Sequence, residues 1–316
     1  MKILEAKNLS KYYYKNKGFI NKKSSNLRAV SNVNLELNLN ESLGIVGESG
    51  CGKSTLAKML AGLITPTSGI IELQNKKINS YSSKDLPNYI QYMFQDPISS
   101  LNPRKTIYQS LLSPLKYLRK FNKSEIDYEI KQIINEVNLK EEFLNRFPHE
   151  FSGGQAQRIG IARVLLSKAK IIILDEPVSA LDVSVQSQIL NLLNDLQKKF
   201  KLSYIVISHD LAVIEAICDR VSVMYFGEIV ENAKSNDLFN RPLHPYTNLL
   251  LNSIPKIDQK IKIKNLVETE LPDPINPPKG CAFYSRCEKK IDKCKDLNPE
   301  EIFEKNRGFK CFNPNF

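Results

Sequence analysis

No apolar run in this 316-residue chain approaches the ~18 residues that a membrane-spanning helix needs, which excludes an integral helical membrane protein. The opening residues Met1-Lys2-Ile3-Leu4-Glu5 lack the apolar core of a secretory leader, so the expected compartment is the cytoplasm. In that reducing setting the six cysteines are not expected to form a disulfide framework. Internal repeats are absent, and histidine is scarce, with only three in the chain. Hydrophobic residues make up 42% and charged residues 25%, a globular balance, and the length allows one large domain plus something smaller. The net charge is +11, with an excess near the start: before residue 29 eight lysines and arginines face Glu5 alone. Such a segment could face nucleotide, nucleic acid or an anionic membrane surface, or be a solvated basic loop.

One stretch organises the rest: Gly47-Glu48-Ser49-Gly50-Cys51-Gly52-Lys53-Ser54-Thr55. It follows the apolar run Leu43–Val46 and leads into a helical pattern, Leu56–Leu63. Strand, glycine-rich turn and helix form the context of a phosphate-binding loop. Glycines let successive backbone N–H groups curl toward one centre, and a helix starting near Lys53 adds its positive end. Lys53 would reach the β- and γ-phosphates, and the Ser54 hydroxyl would hold Mg²⁺. A chance glycine turn would not need the full spacing, so the sequence reads as nucleotide-binding.

Residues 3–14 read as a strand ending in the aromatics Tyr12, Tyr13 and Tyr14, and Lys15–Asn26 as an exposed hairpin or loop. Val33–Leu39 alternates like a half-buried strand, and Ile70–Leu73 and Ile90–Phe94 read as short strands. From Ser100 to Ser167 the pattern turns helical, for example over Glu125–Val137. Aliphatic runs resume at Ile171–Leu174 and Tyr204–Ile207. Near-continuous aliphatic strands between helices predict a mostly parallel sheet buried on both faces, hence an α/β core with a helical insert. Beyond residue 254, Pro255, Pro272, Pro274, Pro277 and Pro278 mark a linker into a small terminal module.

Asp175 and Glu176 follow the strand Ile171–Leu174, at the strand end where α/β proteins bind ligands. Asp175 would act on Mg²⁺ and Glu176 would polarise the water attacking the γ-phosphate. Phe151-Ser152-Gly153-Gly154-Gln155 precedes the helical run Gln157–Leu166 and forms a second glycine-rich helix start able to bind phosphate oxygens. A plain serine cap with flexible glycines is its structural counterpart. One nucleotide does not need two such sites on one chain, so the second would serve the nucleotide held by a partner subunit.

Together these segments resemble an ATP-binding-cassette (ABC) ATPase over nearly the whole chain. Gly47–Thr55 is similar to its phosphate loop, Phe151–Gln155 to its signature and Leu174-Asp175-Glu176 to its acidic strand end. Ser179-Ala180-Leu181-Asp182 resembles the D-loop, Gln95 the Q-loop glutamine and His209 the switch histidine. Phe151 stands where leucine is usual, and Cys51 where serine is frequent. Phe94–Arg104, Asp175–Ser184 and His244-Pro245-Tyr246-Thr247 further resemble the ATPases of oligopeptide and dipeptide importers. The form Gly50–Thr55 is similar to the second ATPase of such a pair.

The resemblance implies a P-loop NTPase of the cassette type over residues 1–254, with a helical subdomain at about 97–168 and a Cys-rich extension over 255–316. It implies that Gly47, Ser49, Gly50, Cys51, Gly52, Lys53, Ser54 and Thr55 contact ATP, with Ser54, Gln95 and Asp175 about Mg²⁺. Tyr13 would stack on adenine, unless the tyrosines form a core cluster instead. Glu176, His209 and Gln95 would be the catalytic set, His209 bonding the γ-phosphate. Ser152, Gly153, Gly154, Gln155 and Asp182 would lie at the seam with a sister ATPase. Two membrane permease subunits and, indirectly, an extracytoplasmic substrate-binding protein are the implied partners, at the cytoplasmic face of the membrane, with no nucleic acid. Nickel or another metal chelate is the alternative cargo, and a soluble cassette ATPase acting on DNA or ribosomes is the alternative class. Cys51, beside the phosphates at a helix start, could have a lowered pKa or simply fill space.

Cys281, Cys287, Cys294 and Cys311 fall in the last 36 residues, a clustering that suggests metal, although the spacing matches neither a zinc ribbon nor a ferredoxin run. Gly280–Cys287 resembles the tail of peptide-importer ATPases, and the family implication is a [4Fe–4S] cluster in some members, with Zn²⁺ as the alternative.

Overall fold

The computed structural model describes residues 1–15, 25–118, 121–253 and 272–315. Strands β1 (Lys2–Lys15) and β2 (Ser25–Asn38) form a long antiparallel hairpin. β3 (Ser42–Val46) then enters the core and leads through the phosphate loop into helix α1 (Lys53–Leu60). β4 (Ser68–Leu73) and β5 (Lys76–Lys77) complete a four-stranded sheet in the order β2-β1-β4-β5. After β6 (Ile90–Met93) come α2 (Ile107–Leu118), α3 (Lys123–Glu136) and α4 (Gly153–Leu165). β7 (Ile171–Asp175), α5 (Val183–Phe200), β8 (Ser203–Ile207), α6 (Leu211–Ile217) and β9 (Arg220–Tyr225) then alternate. The chain continues through β10 (Glu228–Lys234), α7 (Ser235–Asn240) and α8 (Pro245–Asn252), then α9 (Lys293–Asp296), β11 (Ile302–Glu304) and β12 (Arg307–Phe309).

The larger sheet runs β11-β12-β10-β9-β3-β8-β7-β6, and its five strands from β9 to β6 are parallel. Its aliphatic runs supply two cores at once, because successive side chains of a strand point to opposite faces. Ile171 and Ile173 of β7, with Ile205 and Ile207 of β8, pack with α1 and the antiparallel sheet. Ile172, Leu174, Tyr204 and Val206 pack on the other face with the residues of α2 to α6.

Two features add to the sequence reading. Ser25 and Asn26, within the stretch read as a hairpin or loop, pair with Lys15 and Tyr14, so β2 starts earlier than its alternating pattern; residues 16–24 lie outside the described residues. The chain's end joins the larger sheet. β12 pairs with β10 through Glu231↔Phe309, and β11 pairs with β12, so the terminal hairpin extends the larger sheet. Buried Glu231 secures this junction by accepting bonds from the backbone N–H groups of Leu243 and His244 and from the Arg307 guanidinium. Pro255 and residues to 271 lie outside the described residues.

Candidate functional site

The four neighbouring strands β3, β8, β7 and β6 are parallel, so their C-terminal ends open on one edge of the sheet, where ligands of such sheets bind. β3 runs into the phosphate loop, β8 into Ser208-His209, β7 into Asp175-Glu176 and β6 toward Gln95. Residues 120 positions apart thus meet because of strand order alone.

The loop needs its glycines at two points in particular. Gly47 has φ +153°, and a Cβ there would lie 2.1 Å from the Met224 carbonyl oxygen. Gly52, at φ +108°, would put one 2.2 Å from the Ala29 carbonyl oxygen. Only a residue without a side chain allows these close backbone approaches. Lys53 is 6% exposed, and its ammonium donates to the carbonyls of Gly47 at 2.7 Å and Glu48 at 2.9 Å. A buried ammonium must be satisfied, and here the loop itself satisfies it. Cys51 is buried with its sulfur 3.9 Å from Lys53 Nζ. Burial pushes its thiol up despite the neighbouring ammonium, so Cys51 fills space as a protonated thiol.

Ser54 Oγ lies 3.5 Å from Asp175 Oδ1, which puts a hydroxyl and a carboxylate within reach of one hard cation. The donor set therefore fits Mg²⁺. The other carboxylate oxygen of Asp175 accepts from the Tyr92 hydroxyl at 2.5 Å. Burial and that bond raise the Tyr92 pKa, keeping it a donor that fixes the direction of Asp175. Sequence reasoning missed Tyr92, although its place three residues before Gln95 on a strand beside β7 was a usable signal.

Glu176 gathers the other candidate catalytic residues. Its Oε2 accepts from Gln95 Nε2 at 2.8 Å, and its Oε1 lies 3.1 Å from His209 Nδ1. Gln95 also reaches Ser179 Oγ at 3.4 Å. Glu176 holds a left-handed backbone, φ +49°, while its N–H donates to the Ile207 carbonyl. A non-glycine residue kept in that region costs of order 1–3 kcal/mol, and such strain collects at functional sites.

Ser152 caps α4 in a reciprocal box: Ser152 N–H donates to Gln155 Oε1 at 3.1 Å, and Gln155 N–H donates to Ser152 Oγ at 3.5 Å. Ser152 and Gly153 are exposed, and Asp182 is exposed at the N-cap of α5. Tyr13 lies toward the end of β1, 40% exposed with Lys11 Nζ over its ring, so it does not belong to a core cluster.

Behind the phosphate loop the last part of the chain makes contacts that the sequence did not reveal. The Tyr246 hydroxyl accepts from Glu48 N–H at 2.9 Å, and both Nη atoms of Arg286 donate to the Glu48 carboxylate at 2.7 and 2.8 Å. Tyr246 is placed by His244, whose Nδ1 accepts from Tyr246 N–H at the start of α8. Burial lowers the His244 pKa to about 3, so it is neutral in the fold. The four C-terminal cysteines line one small cavity beside His244 and Phe283. The expected iron–sulfur cluster, or zinc in its place, finds no support. Among the described residues no group of three or more histidines, cysteines or acids is set to hold a metal ion. Burial pushes the Cys281 and Cys311 thiols up to about 11 and raises Cys287, so without a bound cation these groups are protonated.

Comparison with known proteins agrees with this geometry. Residues 30–179 match the ABC transporter family, and residues 230–294 match the oligopeptide/dipeptide transporter C-terminal region. The oligopeptide transport ATP-binding protein AppF of Bacillus subtilis is 44% identical over 305 residues, covering 94% of this chain and 93% of AppF. OppF of Escherichia coli, also an oligopeptide transport ATP-binding protein, is 47% identical over 280 residues, 86% of this chain and 84% of OppF. Among solved structures, a dimeric post-hydrolysis state of the ATP-binding cassette MJ0796, bound to ADP and Pi, superposes with a TM-score of 0.64. It is 29% identical, and the match covers 73% of this chain and 98% of that one. No helix among the described residues is long and apolar enough to cross a membrane. The chain belongs to the ABC transporter family, among its oligopeptide and dipeptide transport ATP-binding proteins.

Proposed function

We propose that this ATPase of ABC peptide import works face to face with a sister ATPase, each chain supplying the half of an ATP pocket that the other lacks. The observation that carries this is the pair of glycine-rich helix starts: one surrounds a buried lysine, the other is exposed and capped on itself. The MJ0796 cassette, whose solved structure is dimeric, is a relative in which two cassettes pair.

When ATP enters, Lys53 leaves the carbonyls of Gly47 and Glu48 for the β- and γ-phosphates, while the loop's free N–H groups and the start of α1 take the remaining oxygens. Tyr13 stacks on adenine. Ser54, Asp175 and Gln95 would hold Mg²⁺, which would neutralise charge on the phosphates. Glu176 accepts the proton of the attacking water, and its bonds to Gln95 and His209 set its direction. His209 then bonds the γ-phosphate. The partner chain's nucleotide is closed by Ser152, Gly153, Gly154 and Gln155, with Asp182 at the seam. Closure moves two membrane permease subunits on the cytoplasmic face, and an extracytoplasmic binding protein delivers peptides to them.

Purification from membranes tests the assignment. The account expects co-purification with hydrophobic permease subunits and ATP hydrolysis that rises when peptide-loaded binding protein is added. Hydrolysis that instead depends on nucleic acid, and is lost on nuclease treatment, would assign the chain to the soluble cassettes.

A further inference from the structure

Glu48, the second residue of the phosphate loop, is held by three side chains. Its carbonyl accepts from Lys53, its N–H donates to the Tyr246 hydroxyl, and its carboxylate takes both Nη atoms of Arg286. Two of these come from far along the chain: Tyr246 lies on α8, and Arg286 lies between Cys281 and Cys287. The guanidinium is itself fixed. It lies over the rings of Tyr225 at 5.9 Å and Phe283 at 5.8 Å, and Phe283 packs edge-on against both Tyr225 and Tyr246. Hydrogen bonding to Glu48 raises the Arg286 pKa further above its ordinary value.

We propose that Arg286 is a positioning residue for ATP binding: its two-pronged bond to Glu48 lets the C-terminal segment hold the first limb of the phosphate loop while Lys53 engages the triphosphate. Without nucleotide, Lys53 braces that limb through two carbonyls. Those bonds are given up when the ammonium turns to phosphate, and a glycine-rich loop has little stiffness of its own. Ordering it during binding would subtract from affinity. Arg286 and Tyr246 hold Glu48 without involving Lys53, so they persist when it moves. The ion pair is also partly enclosed, with the two side chains 16% and 27% exposed, which spares it the full screening of a surface pair. A planar fork fixes direction as well as distance, a role that a lysine cannot fill.

This inference rests on the loop being the ATP site, and the test separates the two. Binding of a fluorescent ATP analogue to the full chain would be titrated for the native protein, R286Q, R286K, E48Q and the E48Q/R286Q pair. Hydrogen exchange over residues 47–52 would be followed alongside. R286Q and E48Q are each expected to weaken binding ~5–20-fold, as the loss of a charge-assisted bond does. The double variant should bind no worse than the weaker single, because the two residues act through one contact. R286K should recover only part of the affinity, and exchange in R286Q should quicken over the loop. Should R286Q lose its fold, seen as fast exchange throughout, R286K and E48Q carry the test with the same local signature. Unchanged affinity in R286Q, additive losses in the pair, or full rescue by lysine with a quiet loop would overturn the inference while leaving the ATP site standing. Failure of the native chain to bind the analogue would overturn both.

Discussion

Helices α1 and α4 both begin on paired or spaced glycines, yet their surroundings are opposites. At α1 the glycines form a cradle pressed against the backbone of Met224 and Ala29, with a buried lysine folded onto its own carbonyls and Tyr246 and Arg286 bracing Glu48 from behind. At α4, Ser152 and Gln155 cap each other at an exposed end, with no buried cation beside them among the described residues. In the proposal, a cradle that already holds its own lysine exchanges carbonyl oxygens for phosphate oxygens. A helix start closed only by a reciprocal cap leaves its positive end and an exposed glycine open to an anion, which is the basis of the proposal that it meets a phosphate held by another molecule.

That contrast can be broken in three ways of decreasing size. Replacing Lys53 with Ala removes the cradle's cation, and with two charged hydrogen bonds at about 1.5–3 kcal/mol each, ATP affinity should fall ~100-fold or more. An isothermal titration of the isolated chain reads this directly, and near-native affinity would remove Lys53 from the phosphates. Replacing Ser152 with Ala should leave ATP binding by the isolated chain within about twofold, yet lower turnover of the assembled transporter by ~10-fold, roughly one lost charge-assisted bond. Equal damage to both measurements would mean that α4 serves its own chain's nucleotide.

The smallest effect on the nucleotide itself concerns the brace behind the cradle, and it is read as stability. His244 is neutral in the fold with its pKa lowered to about 3, against about 6.5 when unfolded. Its depressed pKa means that the unfolded chain binds the extra proton, so the full contribution exists above about pH 6.5 and fades as pH falls toward 3. By pH 5 the loss is on the order of 2 kcal/mol. Melting curves of His244→Asn should therefore fall less steeply between pH 7 and pH 5 than those of the native chain. Parallel slopes would show that His244 titrates normally.

The sequence exposed the site wherever chemistry requires neighbouring residues. Gly47–Thr55 had to be contiguous because one turn of backbone must wrap one phosphate group, and Asp175-Glu176 had to follow an aliphatic strand because only its end opens onto ligand. Strand character in Ile171–Leu174 and Tyr204–Ile207 was equally plain, since both faces are buried and no polar residue interrupts them. What stayed hidden depends on long-range pairing. Nothing local in Glu48 announces a partner 238 residues away. Tyr92 resembles any strand aromatic until β6 is set beside β7. The four cysteines were visible as a cluster in the sequence, and the fold brings them to one apolar cavity, but what that cavity is for was not legible from their spacing.

The central claim is tested most directly by the assembled transporter carrying Glu176→Gln, saturated with Mg·ATP so that it closes without turning over, and imaged at a resolution that traces side chains. The account predicts a triphosphate gripped by Lys53 of this chain on one side and by the serine-glycine helix start of the sister ATPase on the other, with this chain's Ser152–Gln155 closing the second nucleotide. A triphosphate ringed by Lys53 and Ser152 of the same chain would contradict it.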